Sequence, residues 1–99
     1  MTKAEKERMS KVADLGCIVC KVYHGCESPA LIHHLVGSKF RSTGKKASNQ
    51  HIIPLCHHHH VGGSMENPSI HAFPKAFNMM YGSQEYLYGL TLNLLGELP

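Results

Sequence analysis

The densest group of metal-binding side chains in this chain is a run of four histidines inside the sequence. The run, His57–His60, directly follows an apolar segment, Ile53–Cys56. Purification tags lie at chain ends, so an internal run behind a strand-like segment is better explained by the protein's own chemistry. Two further pairs lie upstream: a CxxC pair at Cys17 and Cys20, and adjacent histidines at His33 and His34. This spacing predicts two metal sites on one small scaffold.

The first predicted site is a structural zinc site. Cys17 and Cys20 form one pair of ligands, and Cys56 with His59 forms a second pair of the same spacing. Each pair lets a tight turn aim two ligands at one tetrahedral ion, and in a small domain the binding free energy becomes folding free energy. The fourth ligand stays open at this point. The alternatives to His59 are His57, His58 and Cys26.

The second predicted site lies beside the first. Successive helical residues are about 100° apart, so His60 must point away from an ion that His59 binds. In an extended strand His33 and His34 face opposite sides and cannot do the same job. One of them could bind a second ion together with His60, while the other activates water.

The length and the cysteines favour metal over disulfides. The chain has 99 residues and four cysteines, near the lower size at which an apolar core alone gives comfortable stability. The first residues, Met-Thr-Lys-Ala-Glu-Lys-Glu-Arg, do not resemble a signal peptide, so we expect a cytoplasmic protein with reduced thiols. No apolar run approaches the roughly 20 residues that cross a bilayer, and we expect no membrane partner.

The positive charge is unevenly distributed. The net charge is +3, yet no Asp or Glu occurs between Ser28 and Met65. Four basic residues interleave there with glycine, serine and threonine: Lys39, Arg41, Lys45 and Lys46. A purely cationic loop of this kind suits a phosphate backbone, although an ordinary solvated loop has the same composition. Its position between two groups of histidines favours a nucleic acid as the partner.

The segments that must position these residues predict an α+β fold. Residues 4–15 have helix-forming composition, with Gly16 placed to end the helix, and residues 17–29 resemble a turn-rich zinc knuckle. Residues 30–36 and 51–56 predict two antiparallel strands joined by the basic loop. The histidine run then begins a short helix that ends near Gly62 and Gly63.

Two more helices are predicted in the last third of the chain. Residues 73–81 place Pro74 in a first turn and Gly82 at the stop, and residues 83–95 begin with Ser83 as the N-cap. The aromatic and methionine side chains here are interpreted as core. The whole is expected to be a single domain, residues 1–99.

The order CxxC, His-His, then Ile-Ile-Pro-Leu-Cys-x-x-His-His resembles the HNH endonuclease superfamily over residues 17–61. Further likeness at Ser69–Ala72, Phe77 and Tyr81–Leu87 resembles its RecA-dependent nuclease branch, the recombination nucleases of phages and prophages. The resemblance implies a small zinc-stapled ββα-metal finger with flanking N-terminal and C-terminal helices. The helical part would cover about residues 66–99.

The resemblance also implies roles for individual residues. His34 matches the general base, and His33 and His60 match ligands of the catalytic ion. The middle position of the motif is usually Asn; it is His51 here, so the catalytic role of His51 is shared as a hypothesis with nearby Asn49. His71 matches the narrower branch without a role of its own, and support of the metal ligands is the hypothesis for it.

The implied activity is metal-dependent hydrolysis of DNA phosphodiester bonds, giving 5′-phosphate and 3′-hydroxyl ends. The resemblance implies Mg²⁺ or Mn²⁺ as the catalytic ion and a RecA-type recombinase filament as a partner. An RNA nuclease would share the motif. The alternative from another class is a non-catalytic zinc-binding adaptor for DNA or protein. It explains the cysteines and the basic loop but leaves His33, His34 and His60 without a task.

Overall fold

A computed structural model describes residues 2–36 and 50–97 of the chain. Two strands and four α-helices form there, together with one π-helical turn, Cys20–His24. In chain order the elements are α1 Lys3–Asp14, β1 Leu31–His34, β2 Ile52–Leu55, α2 His57–His60, α3 Pro74–Tyr81 and α4 Gln84–Leu95. Helices therefore flank a short β-β-α segment on both sides, which confirms the predicted α+β class.

Helix α1 has a clear start and a clear end. At its start the Thr2 side chain accepts from the Glu5 N–H at 3.1 Å, and the Glu5 carboxylate accepts from the Thr2 N–H at 3.0 Å. This reciprocal capping satisfies donors that have no partner inside the helix. Beyond its end Gly16 adopts φ 77°, and a Cβ there would lie 3.1 Å from the Ser28 carbonyl oxygen. The chain can therefore turn sharply just before Cys17.

The segment after Gly16 differs from the predicted zinc knuckle. It enters a helical turn at Ile18 and continues as the π-helical turn to His24 instead of a succession of β-turns. Ile18 and Val19 are both buried, so this helical backbone directs two consecutive apolar side chains into the core. Gly25, with φ 64°, ends the turn.

The two strands pair antiparallel as predicted. His33 lies opposite Ile53, and His34 lies opposite Ile52. Strand β2 is fully buried, whereas in β1 the buried His33 is followed by a half-buried His34. The pairing fixes the two adjacent histidines in different environments, because side chains alternate across a strand.

The last two helices contribute buried side chains to the core that also contains Cys17 and residues of β2. Phe77 and Tyr81, one helical turn apart on α3, are buried as predicted. Met79 and Met80 are exposed, so their interpretation as core was wrong. They lie about 200° and 300° around the helix from Phe77, at ~100° per residue, and therefore fall outside the face that Phe77 and Tyr81 bury.

Helix α4 packs on β2. Its Ser83 cap accepts from the Tyr86 N–H at 3.1 Å, as predicted. Leu87 is fully buried, whereas 52% of Tyr86 is exposed, so the interpretation of every aromatic residue here as core was also wrong. Tyr86 lies one position before Leu87 and thus about 100° away from the buried face.

None of the helices in the described residues is both long and apolar enough to cross a membrane.

Candidate metal centres and active site

The structure brings the four predicted zinc ligands together. We call this group the thiol cluster: Cys17, Cys20, Cys56 and His59. The first two come from the segment after Gly16, Cys56 is the N-cap of α2, and His59 is the buried residue of that helix. Cys26, one of the alternatives, is exposed, as are His57 and His58. Of the described candidates for the fourth position, His59 is the one in place.

The spacing of the thiol cluster fits a tetrahedral ion. The His59 Nδ1 atom lies 3.2 Å from the sulfur of Cys56, 3.6 Å from that of Cys20 and 3.7 Å from that of Cys17. The sulfurs of Cys20 and Cys56 are 3.9 Å apart. Around a regular zinc site, with Zn–S about 2.3 Å and Zn–N about 2.0 Å, the corresponding edges would be about 3.5 and 3.8 Å. The side chains thus already surround a space of the size that the ion needs.

The electrostatics of this cluster also call for a cation. Burial, followed by the neighbouring sulfurs of Cys17 and Cys56, raises the pKa of the Cys20 thiol to about 12. Thiolates gathered at this spacing repel one another in a low-dielectric interior. A bound divalent cation would remove that repulsion and displace the thiol protons, and its binding would then be coupled to folding.

A second cluster lies beside the first and consists of three histidines. We call it the imidazole cluster: His33, His60 and His71. The ring centroids of His33 and His60 are 5.3 Å apart, those of His33 and His71 are 5.2 Å apart, and those of His60 and His71 are 4.8 Å apart. One ring nitrogen from each residue lies within 4.8 Å of the others. His33 is buried, His60 is half-buried and His71 is exposed, so one side of the cluster faces solvent.

Sequence reasoning did not place His71 in this cluster. The chain leaves α2, turns back between Gly63 and Pro68, which form an antiparallel bridge, and then passes α2 so that the His71 N–H donates to the His60 carbonyl at 3.1 Å. The Ile70 N–H likewise donates to the His59 carbonyl at 2.8 Å. His71 lies eleven positions after His60, but Gly62, Gly63 and Pro68 lie between them, so no single helix or strand relates the two residues in the sequence. The only signal was its place in the motif Ser-Ile-His-Ala.

Two members of the imidazole cluster, His33 and His60, have a lowered pKa, which favours their uncharged form. Burial, followed by the neighbouring rings of His60 and His71, lowers the pKa of His33 to about 4. Burial and the ring of His71 also lower the pKa of His60. Neutral imidazole is the form that binds metal. Within the described residues the buried His33 Nε2 and His60 Nδ1 atoms have no hydrogen-bond partner, which fits a pair of ring nitrogens that bind an ion.

The two predicted catalytic histidines lie outside both clusters. His34 is half-buried, next to His33 on β1, and its ring is close enough to add to the lowering of the His33 pKa. His51 lies just before β2, where its carbonyl accepts from the Leu35 N–H at 3.0 Å and its ring lies 5.4 Å from that of Tyr88. His34 therefore lies next to the imidazole cluster, whereas the ring of His51 packs against Tyr88 of α4.

Gln84 fixes the end of β1 near the imidazole cluster. Its amide oxygen accepts from the Val36 N–H at 2.9 Å, and its amide nitrogen donates to the Val36 carbonyl at 2.5 Å. The nearby Gln84 side chain partly opposes the lowering of the His33 pKa. The first residue of α4 thus holds the point where the chain leaves the sheet, close to a histidine of the cluster.

The predicted DNA-backbone residues Lys39, Arg41, Lys45 and Lys46 lie outside the described residues, as does Asn49, the rival of His51.

A β-β-α segment with a closed thiol cluster and an open imidazole cluster defines a candidate metalloprotein with two distinct sites. Residues 1–95 match the family described as "Recombination enhancement, RecA-dependent nuclease", and the chain belongs to this family. The family assignment agrees with the branch that the sequence resembles, and it implies a nuclease role in recombination. A comparison with curated proteins found no match.

Proposed function

We propose that this protein is a metal-dependent endonuclease of the HNH type that hydrolyses DNA phosphodiester bonds during RecA-dependent recombination. The observation that carries the proposal is the imidazole cluster, built from β1, α2 and the segment after α2 in a chain that belongs to a nuclease family. An adaptor that only bound DNA would have no use for three histidines converging at the surface. A hydrolase needs such a site to hold the ion that acts on the phosphate.

The thiol cluster is proposed to hold structural zinc. Three sulfurs and one imidazole complete a tetrahedral shell without leaving a position for water, which is typical of structural sites. Its four side chains come from the segment after Gly16 and from the start of α2. The ion would therefore fasten the helix that presents His60 to the rest of the core.

The imidazole cluster is proposed to hold the catalytic divalent ion through His33, His60 and His71. When bound, that ion would offset the negative charge that develops on phosphate oxygens. His34, beside His33 on β1, would accept the proton of the attacking water; imidazole is a base that works near neutral pH. Lys39, Arg41, Lys45 and Lys46 would bind the phosphate backbone with little reading of bases.

Mg²⁺ or Mn²⁺ is proposed as the working ion because HNH enzymes resemble one another in this respect. The three imidazoles support Mn²⁺ more than Mg²⁺, since Mg²⁺ prefers oxygen ligands and keeps its waters. The products would be 5′-phosphate and 3′-hydroxyl ends. His51 is retained as a proposed orienting residue, because its ring is held by packing on Tyr88.

The test is cleavage of plasmid DNA with added Mg²⁺ or Mn²⁺, in the presence and absence of a RecA filament. His34→Ala should reduce the cleavage rate by about 10²–10⁴-fold, the usual contribution of a general base. His57→Ala is the matched control, because His57 is exposed and lies in neither cluster. Equal cutting by His34→Ala and the parent would remove His34 from the base role. DNA binding without cleavage in every metal and with RecA would favour the adaptor.

A further inference from the structure

Asn67 occupies a position that connects the thiol cluster to α3. Its side-chain oxygen, Oδ1, lies 3.0 Å from the His59 Nε2 atom and 2.5 Å from the Tyr81 hydroxyl. His59 meets the three sulfurs through its other nitrogen, Nδ1. Both nitrogens of this buried imidazole are therefore engaged, one with the cluster and one with Asn67.

The chemistry of these contacts selects one tautomer of His59. A carbonyl oxygen only accepts hydrogen bonds, so Nε2 must carry the proton and Nδ1 must present its lone pair to the sulfurs. The opposite orientation of the Asn67 amide would direct its N–H groups at Nε2 and leave the proton on Nδ1, where it would block a metal. The position of one amide oxygen thus decides whether His59 can bind an ion.

Asn67 is itself held by its surroundings. Its carbonyl accepts from the Ser64 N–H at 3.1 Å, and its N–H donates to the Ser64 hydroxyl at 3.3 Å. Gly63 lies against the same turn with φ 82°, and a Cβ at this glycine would come within 2.6 Å of the Asn67 carbonyl oxygen. The turn between α2 and α3 therefore packs closely enough to keep the Asn67 side chain in place.

Tyr81 holds Asn67 from the other side. Its ring packs edge-on against His59, with the centroids 5.4 Å apart, and only 2% of the residue is exposed. Its hydroxyl donates to the Asn67 Oδ1 atom. Its backbone carbonyl accepts from the Tyr23 hydroxyl at 2.8 Å, which ties the end of α3 to the turn after Cys20.

We propose that Asn67 and Tyr81 are positioning residues for the metal site of the thiol cluster, in which Asn67 fixes the tautomer and ring orientation of His59 while Tyr81 holds Asn67. Residues that hydrogen-bond to a metal-bound imidazole in this way raise its affinity for the ion. The inference rests on the structural-metal assignment proposed above. It also gives helix α3 a function in metal binding.

The experiment measures the Zn²⁺ affinity of the full chain by competition with a chromophoric chelator, together with the absorption spectrum of the Co²⁺-loaded protein. Asn67→Ala should weaken Zn²⁺ binding by about 10–100-fold. Asn67→Asp should bind at least as tightly as the parent, because a carboxylate can only accept from Nε2–H. Tyr81→Phe should fall between the parent and Asn67→Ala.

Two matched controls separate positioning from loss of packing. Tyr88→Phe removes a hydroxyl that donates at 3.4 Å to the Gln50 carbonyl, away from the thiol cluster. Asn93→Ala removes an exposed amide from α4. Both should keep the parent's Zn²⁺ affinity and Co²⁺ spectrum. The Zn²⁺ affinity of Asn67→Ala is measured at temperatures at which the variant remains folded, so that unfolding cannot explain a loss of affinity.

The possible outcomes distinguish this inference from the assignment on which it rests. Parental affinity in Asn67→Ala would overturn the positioning role, and so would an Asn67→Asp variant as weak as Asn67→Ala. A parent protein that binds no Zn²⁺ would overturn the structural-metal assignment and this inference with it. A graded loss from the parent through Tyr81→Phe to Asn67→Ala, with rescue by Asn67→Asp, supports the proposal.

Discussion

The thiol cluster and the imidazole cluster share helix α2 but differ in their ligands and in their exposure to solvent. In the thiol cluster three thiols and one imidazole surround a closed space, and its Cys17 and His59 members are almost fully buried. In the imidazole cluster three imidazole rings converge, and His71 is exposed. Adjacent residues, His59 and His60, belong to different clusters because neighbouring helical side chains diverge by about 100°.

Under the proposed function, this contrast separates a metal site for stability from a metal site for chemistry. A saturated, buried set of ligands excludes water and contributes the binding free energy to folding. A three-ligand site open on one side leaves positions for water and a substrate oxygen, as catalytic sites require. We therefore expect substitutions in the two clusters to produce different defects, even where the residues are neighbours in sequence.

The largest expected effect is on stability, at Cys17. Cys17→Ser should lose about one equivalent of zinc and unfold the domain, since structural zinc contributes on the order of 10 kcal/mol to small zinc-binding folds. Metal analysis and thermal unfolding measure this. Cys26→Ser is the control, because Cys26 is exposed and outside the cluster. Retained zinc and an unchanged melting temperature in Cys17→Ser would refute the structural-zinc assignment.

The next effect is on activity alone, at His71. His71→Ala should reduce metal-dependent DNA cleavage by at least about tenfold, since residues that only support metal ligands already contribute this much. Structural zinc and the melting temperature should stay unchanged, because His71 is exposed and outside the thiol cluster. Cleavage rates across a titration of Mn²⁺, with His57→Ala alongside, provide the measurement. A loss of zinc in His71→Ala would mean that the two clusters are not separate.

The smallest effect is expected at Gln84, which holds the end of β1. Gln84→Ala removes both hydrogen bonds to Val36 and should lower the free energy of unfolding by about 1–3 kcal/mol, at roughly 1 kcal/mol for each bond. We also expect a several-fold slower cleavage rate, because His33 and His34 lie just before this point. Denaturant unfolding and the cleavage assay test both, with Asn93→Ala as the control on α4. Wild-type activity in Gln84→Ala would limit its role to stability.

Local pattern was sufficient to predict most of the secondary structure and the members of the thiol cluster. The strand pair, the short helix at the histidine run and the capped helices α1 and α4 follow from apolar runs bounded by glycine, proline and capping residues. The members of the thiol cluster follow from two pairs with short internal spacing. Each pair spans only a few residues, so its geometry can be predicted without knowledge of the rest of the chain.

Long-range arrangement could not be predicted in the same way. The helical winding after Cys17 and the outward positions of Met79 and Met80 depend on which face the core covers. His71 joins His33 and His60 only because the chain folds back along α2. Asn67 meets His59 only because the same turn brings it there. None of these contacts lies within one helix or strand, so no local pattern in the sequence reveals it.

The sequence by itself therefore determined the kinds of ligand, the pairs that build the thiol cluster and the separation of His59 from His60. Those features depend on residue chemistry and on the fixed angle between neighbours in a helix. Only the tertiary structure decided that His71 completes the second cluster and that Asn67 and Tyr81 hold the imidazole of the first. These contacts join residues from separate elements, and their distances are set by how the elements pack.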